Sequence, residues 1–318
     1  MDEHYLTEIE IKQFKCFSDF KAAGFKRVNL IGGKNNVGKT AFMEACYINL
    51  SSVTIGNLIT ALIQIKVSRE KLNLVGKDIN VEINKFLDST QNYSSYSNLS
   101  KKIFDVKQKD AVKEYQFTIN GQLTTINANA LNITPDYADK VIFKDNFGWS
   151  NEWLIRFYQV IQKQDLEYDL NAFANEFDDS ISSFKVIGEK PQCKIKDEYR
   201  DITEFGDGLT HYISIICALY NCENGYLFID EIDNGIHYSQ LDRLWEIIFT
   251  LSKKTNCQVF ATTHSKEMLE SFARVAKKLD EQDISYTILV KDKKQEIKTI
   301  SMDYALLQDS MAQGHEVR

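Results

Sequence analysis

The chain has 318 residues, enough to bury a large core as one big domain or two modest ones. Hydrophobic residues make up 43% and charged residues 26%, an ordinary globular balance, and no apolar run approaches the ~18 residues that cross a bilayer, so no membrane partner is expected. The net charge of −7 argues against a surface coated for nucleic acid, though local patches remain open at Lys101-Lys102, Lys253-Lys254, Lys277-Lys278 and Lys293-Lys294.

The first ten residues have neither the basic nor the apolar region of a secretory signal. Six cysteines are scattered without a C-x-x-C pair, which reads as small buried thiols in a reducing cytoplasm rather than a zinc site. Leu6, Ile9, Ile11 and Phe14 fall on one side of an expected first strand, Leu6 to Phe14. Arg27 to Ile31 reads as a second short strand ended by Gly32-Gly33. From Thr40 the spacing turns helical, with Phe42, Met43, Cys46, Tyr47 and Leu50 recurring every three or four positions.

Between Asn73 and Asn132 the composition shifts to Asn, Ser, Lys and Tyr, and reads as an insertion of exposed strands and loops. Val81 to Phe86 fits a strand there, and Tyr115 to Ile119 turns at Asn120-Gly121 into Leu123 to Ile126 as an antiparallel hairpin. Pro135 opens an expected helical stretch running through Trp153 to Gln162 and on to Leu170 to Phe177. Leu209 to Tyr220 is a buried helix. Tyr226 to Ile229 is an apolar strand of the parallel-sheet kind, followed by a helix at Leu241 to Leu251, a strand at Gln258 to Thr262 and a helix at Lys266 to Ala276. Tyr286 to Val290 and Glu296 to Ile300 close the chain as a strand pair. Alternation of strand and helix after residue 200 predicts an α/β architecture.

Gly33-Lys34-Asn35-Asn36-Val37-Gly38-Lys39-Thr40 satisfies G-x-x-x-x-G-K-[ST], between a short apolar strand and a helix. Glycines let backbone N–H groups wrap a phosphate, and the helix that follows presents its positive N-terminus. Lys39 is expected to bridge the β- and γ-phosphates of ATP, and the Thr40 hydroxyl to coordinate Mg2+. Tyr226-Leu227-Phe228-Ile229-Asp230-Glu231 then supplies an apolar strand ending in two acids. Asp230 is the expected second metal residue, and Glu231 is placed to polarise the attacking water. Val259 to Ser265 is a strand ending in Thr263-His264-Ser265, with His264 about thirty residues beyond Glu231 and suited to contact the γ-phosphate. Gly206-Asp207-Gly208 opens the buried helix before the acids, where glycines at a helix N-terminus suit an anion.

These motifs resemble the RecF/SMC/OLD-type ABC ATPases, and in particular the stand-alone OLD-like group of bacterial anti-phage systems. Ile9 to Phe17 resembles the family's first strand and N-F-K-x-F turn, with Gln13 in place of Asn. The cradle Gly33 to Lys39, which carries Asn36, resembles the family's favoured G-x-N-x-x-G-K. Asp230-Glu231-Ile232-Asp233-Asn234-Gly235-Ile236-His237 resembles D-E-P-E-x-G-L-H, with its D-loop at Asp233, Asn234 and Gly235, and Thr263 to Ser265 is the family's T-H-S. The tail from Tyr304 to Arg318 resembles the close of the ATPase module in OLD nucleases, where a Toprim nuclease domain follows. The resemblance implies a P-loop fold of ABC type: a mixed sheet, an antiparallel β subdomain and a helical insertion lobe. It is read as one domain, with residues 1–60 holding the first strands and the P-loop helix, 61–200 the insertion, and 201–318 the remaining motifs.

It further implies a dimer or higher homo-oligomer clamped by ATP, in which Gly206, Asp207 and Gly208 reach the nucleotide of the opposing subunit. A separate effector, such as a Toprim-type nuclease, is the implied partner. Departures from the pattern are Phe205-Gly206-Asp207-Gly208 in place of L-S-G-G-Q, and Ile232 in place of proline; both suit a slow, switch-like ATPase. Two other readings stay open: a RecF-like repair ATPase that binds DNA itself, and a non-catalytic nucleotide-dependent scaffold.

Overall fold

The computed structural model describes residues 4–70, 85, 87, 92–109, 112–127, 136–146 and 148–313. The chain forms two compact units. The first comprises Met1–Lys26, Gly32–Val141 and Thr287–Ser301, and the second Arg27–Ile31, Ile142–Tyr286 and Met302–Arg318.

The first unit is built on an antiparallel sheet of β1 (Glu8–Phe14), β2 (Phe17–Ala23), β4 (Tyr93–Ser97), β5 (Lys101–Lys109), β6 (Val112–Ile119) and β7 (Gln122–Asn127), in the order β2-β1-β4-β5-β6-β7. Pairing of Ile9 with Ala22, Ile11 with Phe20 and Phe14 with Phe17 puts the apolar side chains of β1 and β2 on one face. That face meets α1 (Lys39–Ser51), in which every residue but Thr40 is buried. The buried Asn49 amide donates to Ser95 Oγ at 2.8 Å, tying α1 to β4, and α2 (Ile55–Glu70) packs on α1. The β6–β7 turn uses Asn120 (φ 49°) and Gly121 (φ 89°), the left-handed pair that two-residue hairpins select.

The strands of this sheet are less exposed than their composition suggests, because Tyr93, Phe104, Tyr115 and Phe117 are all fully buried. Alternation hides one aromatic face behind a polar one. The strand expected at Val81 to Phe86 lies outside the described residues except for Lys85, which is helical. The last residues of the tail, Gly314 to Arg318, also lie outside them.

The second unit has a parallel core of β3 (Val28–Gly32), β13 (Gln258–Thr262) and β12 (Tyr226–Ile229). The start of β14 (Ile284–Lys291) flanks β3, and β8 (Val141–Lys144) flanks β12. All five residues of β3 and of β13 are buried, as expected for strands covered on both faces. Phe228 stacks on Phe260 with ring centroids 5.2 Å apart. Helices α5 (Asp207–Asn221), α6 (Leu241–Thr255) and α7 (Lys266–Lys278) belong to this unit, and Trp245, Phe249 and Phe272 join α6 to α7. A separate antiparallel sheet, β9 (Ile181–Ile187), β10 (Lys190–Ile195) and β11 (Glu198–Asp201), packs with α3 (Asn151–Lys163) and α4 (Glu167–Phe177). In the first unit the rest of β14 turns back into β15 (Ile297–Asp303), and α8 (Tyr304–Ala312) follows in the second.

The helix expected from Pro135 onward is corrected. Residues Val141–Lys144 form a strand, and the helix starts only at Asn151. The Asp230 N–H donates to the Lys144 carbonyl at 2.9 Å, so pairing with β12 overrides the local helical spacing. Every described cysteine except Cys16 is buried. Among the described residues no helix is long and apolar enough to cross a membrane.

Candidate nucleotide site

The segment Gly33–Thr40 runs from the end of β3 into α1, and its backbone explains its glycines. Gly33 (φ 132°), Asn36 (φ 60°) and Gly38 (φ 96°) all take positive φ. A Cβ on Gly33 would sit 2.5 Å from the Leu289 carbonyl oxygen, and one on Gly38 would sit 2.7 Å from Cys16 Sγ. Gly38 is the N-cap of α1; it makes no side-chain cap, and the first turn carries no acid. The leading N–H groups of a long helix are thus turned toward the loop, the arrangement that holds anions. Val37 is buried while Lys34, Asn35 and Asn36 are exposed. Lys39 is buried, and its Nζ donates to the carbonyls of Gly33 at 2.8 Å and Lys34 at 3.0 Å. Thr40 lies half-buried in the first turn.

In the second unit the parallel strands end level: Ile31 pairs with Thr262, and Ile229 with Ala261. Residues just past β12 and β13 therefore emerge at one edge, the carboxyl edge where α/β sheets bind ligands. Asp230 is buried, and its Oδ1 accepts from Thr262 Oγ1 at 2.6 Å. The same hydroxyl accepts the Glu231 N–H at 2.8 Å. One threonine thus fixes both acids. Glu231 is half-exposed in a left-handed conformation (φ 50°), and its Oε1 lies 3.6 Å from His264 Nε2. Thr263 Oγ1 donates to Asp233 Oδ1 at 2.7 Å, and Ser265 caps α7 by accepting from the Met268 N–H at 3.0 Å. The structure therefore brings Asp230, Glu231, Asp233 and His264 together.

It also joins two segments expected to work at a subunit boundary. Gly206 (φ 82°) and Asp207 open α5, and a Cβ on Gly208 would lie 2.9 Å from the Gly235 carbonyl oxygen. His211 Nδ1 lies 2.6 Å from the Asn234 carbonyl oxygen. Burial, reinforced by the charge of Lys144, holds the His211 imidazole below its usual pKa. Gly206, Asp207, Asn234 and Gly235 are exposed, so this packed pair of turns faces solvent.

Thr262, His211 and Lys144 were not singled out by the motifs. Thr262 lay inside a recognised strand, where its hydroxyl one residue before Thr263-His264-Ser265 was the available signal. Lys144 lay in a stretch read as helical and gave none. Its side chain is 1% exposed, and Nζ has no hydrogen-bond partner among the described residues. Burial pushes its pKa down to about 8, against the opposing pull of Asp145, Asp230, Glu231 and Asp233.

Within the second unit the side chain suited to a divalent metal is the buried Asp230 carboxylate. Among the described residues no cluster of three or more His, Cys, Asp or Glu side chains is arranged around a metal position. Such a carboxylate fits a hard cation that takes its remaining ligands from other oxygens, phosphate and water among them.

An "ATP/GTP phosphatase" of Helicobacter pylori (strain ATCC 700392 / 26695) is 26% identical over 330 residues, covering 86% of this chain and 89% of that protein. An SMC head bound to the C-terminal winged-helix domain of ScpA aligns over 97% of this chain and 99% of its own, at 12% identity and a TM-score of 0.55. An SMC head with an extended coiled coil, bound to the C-terminal domain of ScpA derived from Pyrococcus furiosus, aligns over the same shares at 11% identity and a TM-score of 0.53. These likenesses show the fold. Residues 28–270 match the family described as "AAA domain, putative AbiEii toxin, Type IV TA system". The chain belongs to that family and is an ATPase with the α/β P-loop fold of the ABC/SMC type.

Proposed function

We propose that the chain binds Mg2+-ATP through Gly33–Thr40, hydrolyses it slowly, and uses ATP to clamp two copies that gate a partner effector. Glu231 is the residue that aligns the attacking water, Asp230 and Thr40 hold the metal, Lys39 binds the β- and γ-phosphates, and His264 senses the γ-phosphate. One arrangement carries the reading. Glu231 is held in a left-handed conformation, with its N–H bound to Thr262, Thr262 bound to Asp230, and its carboxylate 3.6 Å from His264. A residue that orients the attacking water needs such fixed placement beside the metal carboxylate.

The clamp reading is supported by the exposed N-terminus of α5, which has no side-chain cap and begins at Gly206 and Asp207 beside the exposed Asn234 and Gly235. The uncapped backbone N–H groups there suit the phosphates of a nucleotide brought by a second copy, with the Asp207 carboxylate in the same turn opposing them. An OLD-like role in anti-phage defence in the cytoplasm, with a Toprim-type nuclease as the effector, rests on the resemblance of the motifs. The net charge of −7 weighs against duplex DNA as the main partner.

The test is the solution mass of wild type and of Glu231→Gln, with and without Mg2+-ATP. Glu231→Gln should retain ATP and assemble into a stable dimer or larger species, while wild type cycles back to the smaller form. Unchanged mass in a variant that binds ATP would remove the clamp and leave a nucleotide-bound scaffold.

A further inference from the structure

Lys144 ends β8 directly beside β12, and its carbonyl accepts the Asp230 N–H at 2.9 Å. Its side chain is 1% exposed, and the ammonium has no hydrogen-bond partner among the described residues. Folds seldom keep such a group, because a buried ammonium has three donors and stays costly until each is met. The charges that act on it are those of Asp145, Asp230, Glu231 and Asp233, with the His211 imidazole on the α5 side. None of these carboxylates closes a hydrogen bond to Nζ. The lysine is drawn toward the acids without being satisfied by them.

A polyphosphate approaching Asp230 meets several negative charges at once. A divalent cation offsets only part of that repulsion, and a further positive group next to the acids offsets more. We infer that Lys144 is a nucleotide-binding residue whose ammonium donates to a phosphate oxygen of the bound nucleotide. This rests on the ATPase reading of Asp230 and Glu231. The flexible four-carbon stem lets Nζ move from its buried position toward the ligand, so binding relieves a cost that the free protein carries.

A lysine that merely neutralises the acids would stabilise the free protein, whereas a lysine held for the ligand would not. The experiment therefore reads affinity and thermal stability together. Wild type, Lys144→Met, Lys144→Gln and Lys39→Ala are titrated calorimetrically with a non-hydrolysable ATP analogue and Mg2+, and each is also melted without nucleotide. Lys144→Met should melt at or above the wild-type temperature yet bind the analogue roughly tenfold to a hundredfold more weakly, the range of one charge-assisted hydrogen bond. Lys144→Gln, which keeps a donor, should fall between.

Wild-type affinity in Lys144→Met, with binding abolished in Lys39→Ala, overturns the inference and leaves the ATPase reading standing. Loss of fold, or a melting temperature several degrees lower in both Lys144 variants, overturns it in favour of a structural lysine. A wild-type chain that binds no analogue ends the nucleotide reading and this inference with it.

Discussion

Glu231 sits at φ 50°, a region that costs a non-glycine residue about 1 kcal/mol or more and persists where surrounding contacts impose it. Those contacts converge on Thr262, whose hydroxyl serves both acids. Thr262→Val keeps shape and β-propensity but leaves a buried carboxylate and a backbone N–H without their shared partner. Denaturant unfolding should show a loss of about 1–3 kcal/mol per unmet group, and ATP turnover should fall by more than stability alone explains. Turnover at the wild-type rate would show that the hydroxyl does not position Glu231. Lys39, Asp230 and Glu231 stand out in the sequence because each belongs to a short contiguous pattern whose chemistry constrains its neighbours. Thr262 does not, because its role is defined by residues some thirty positions away.

At the scale of the element, two glycines with positive φ make a controlled comparison. Nothing lies within 4 Å of a Cβ placed on Gly121, whereas one placed on Gly33 would meet the Leu289 carbonyl oxygen at 2.5 Å. Gly121→Ala should cost only backbone strain, roughly 1–2 kcal/mol, with ATP binding intact. Gly33→Ala adds overpacking against backbone, about 1–3 kcal/mol more, and should weaken nucleotide binding. Equal melting shifts for the two would mean that the loop yields more readily than its contacts indicate. The Asn120-Gly121 hairpin and the strands around the acids were legible because turn chemistry and unbroken apolar runs are local signals. β8 was not, because the residues after Pro135 carry helical spacing and become a strand only by pairing with β12. The β9–β11 sheet likewise depends on packing with α3 and α4.

Across the whole molecule, the motifs anticipated an α/β ATPase of the ABC/SMC type, and the family match and the likeness to SMC heads bear that out. What they could not foresee is that α5 and the Asp233–Gly235 turn of one chain touch through His211. That contact has a pH signature. Burial, with Lys144 beside it, lowers the folded pKa of His211 below its unfolded value of about 6.5. The unfolded chain therefore binds the proton more readily, so His211 makes the folded state lose stability as pH falls below about 6.5 and has no such effect above it. Between pH 7 and pH 5.5 the melting temperature of wild type should drop further than that of His211→Gln. Parallel curves for the two chains would show that the imidazole is not buried from protons.

The two hydrogen bonds from Lys39 to the carbonyls of Gly33 and Lys34 bear on the kinetics of turnover. On the proposed nucleotide role, the loop and its lysine form a self-stoppered socket, and an arriving phosphate would have to displace an internal guest. Part of the binding enthalpy is spent breaking that closure, which moderates affinity without weakening the contacts themselves. On the way out the trade reverses. The same two carbonyls would receive the ammonium again as the phosphates leave, so the closure that opposes entry would favour release.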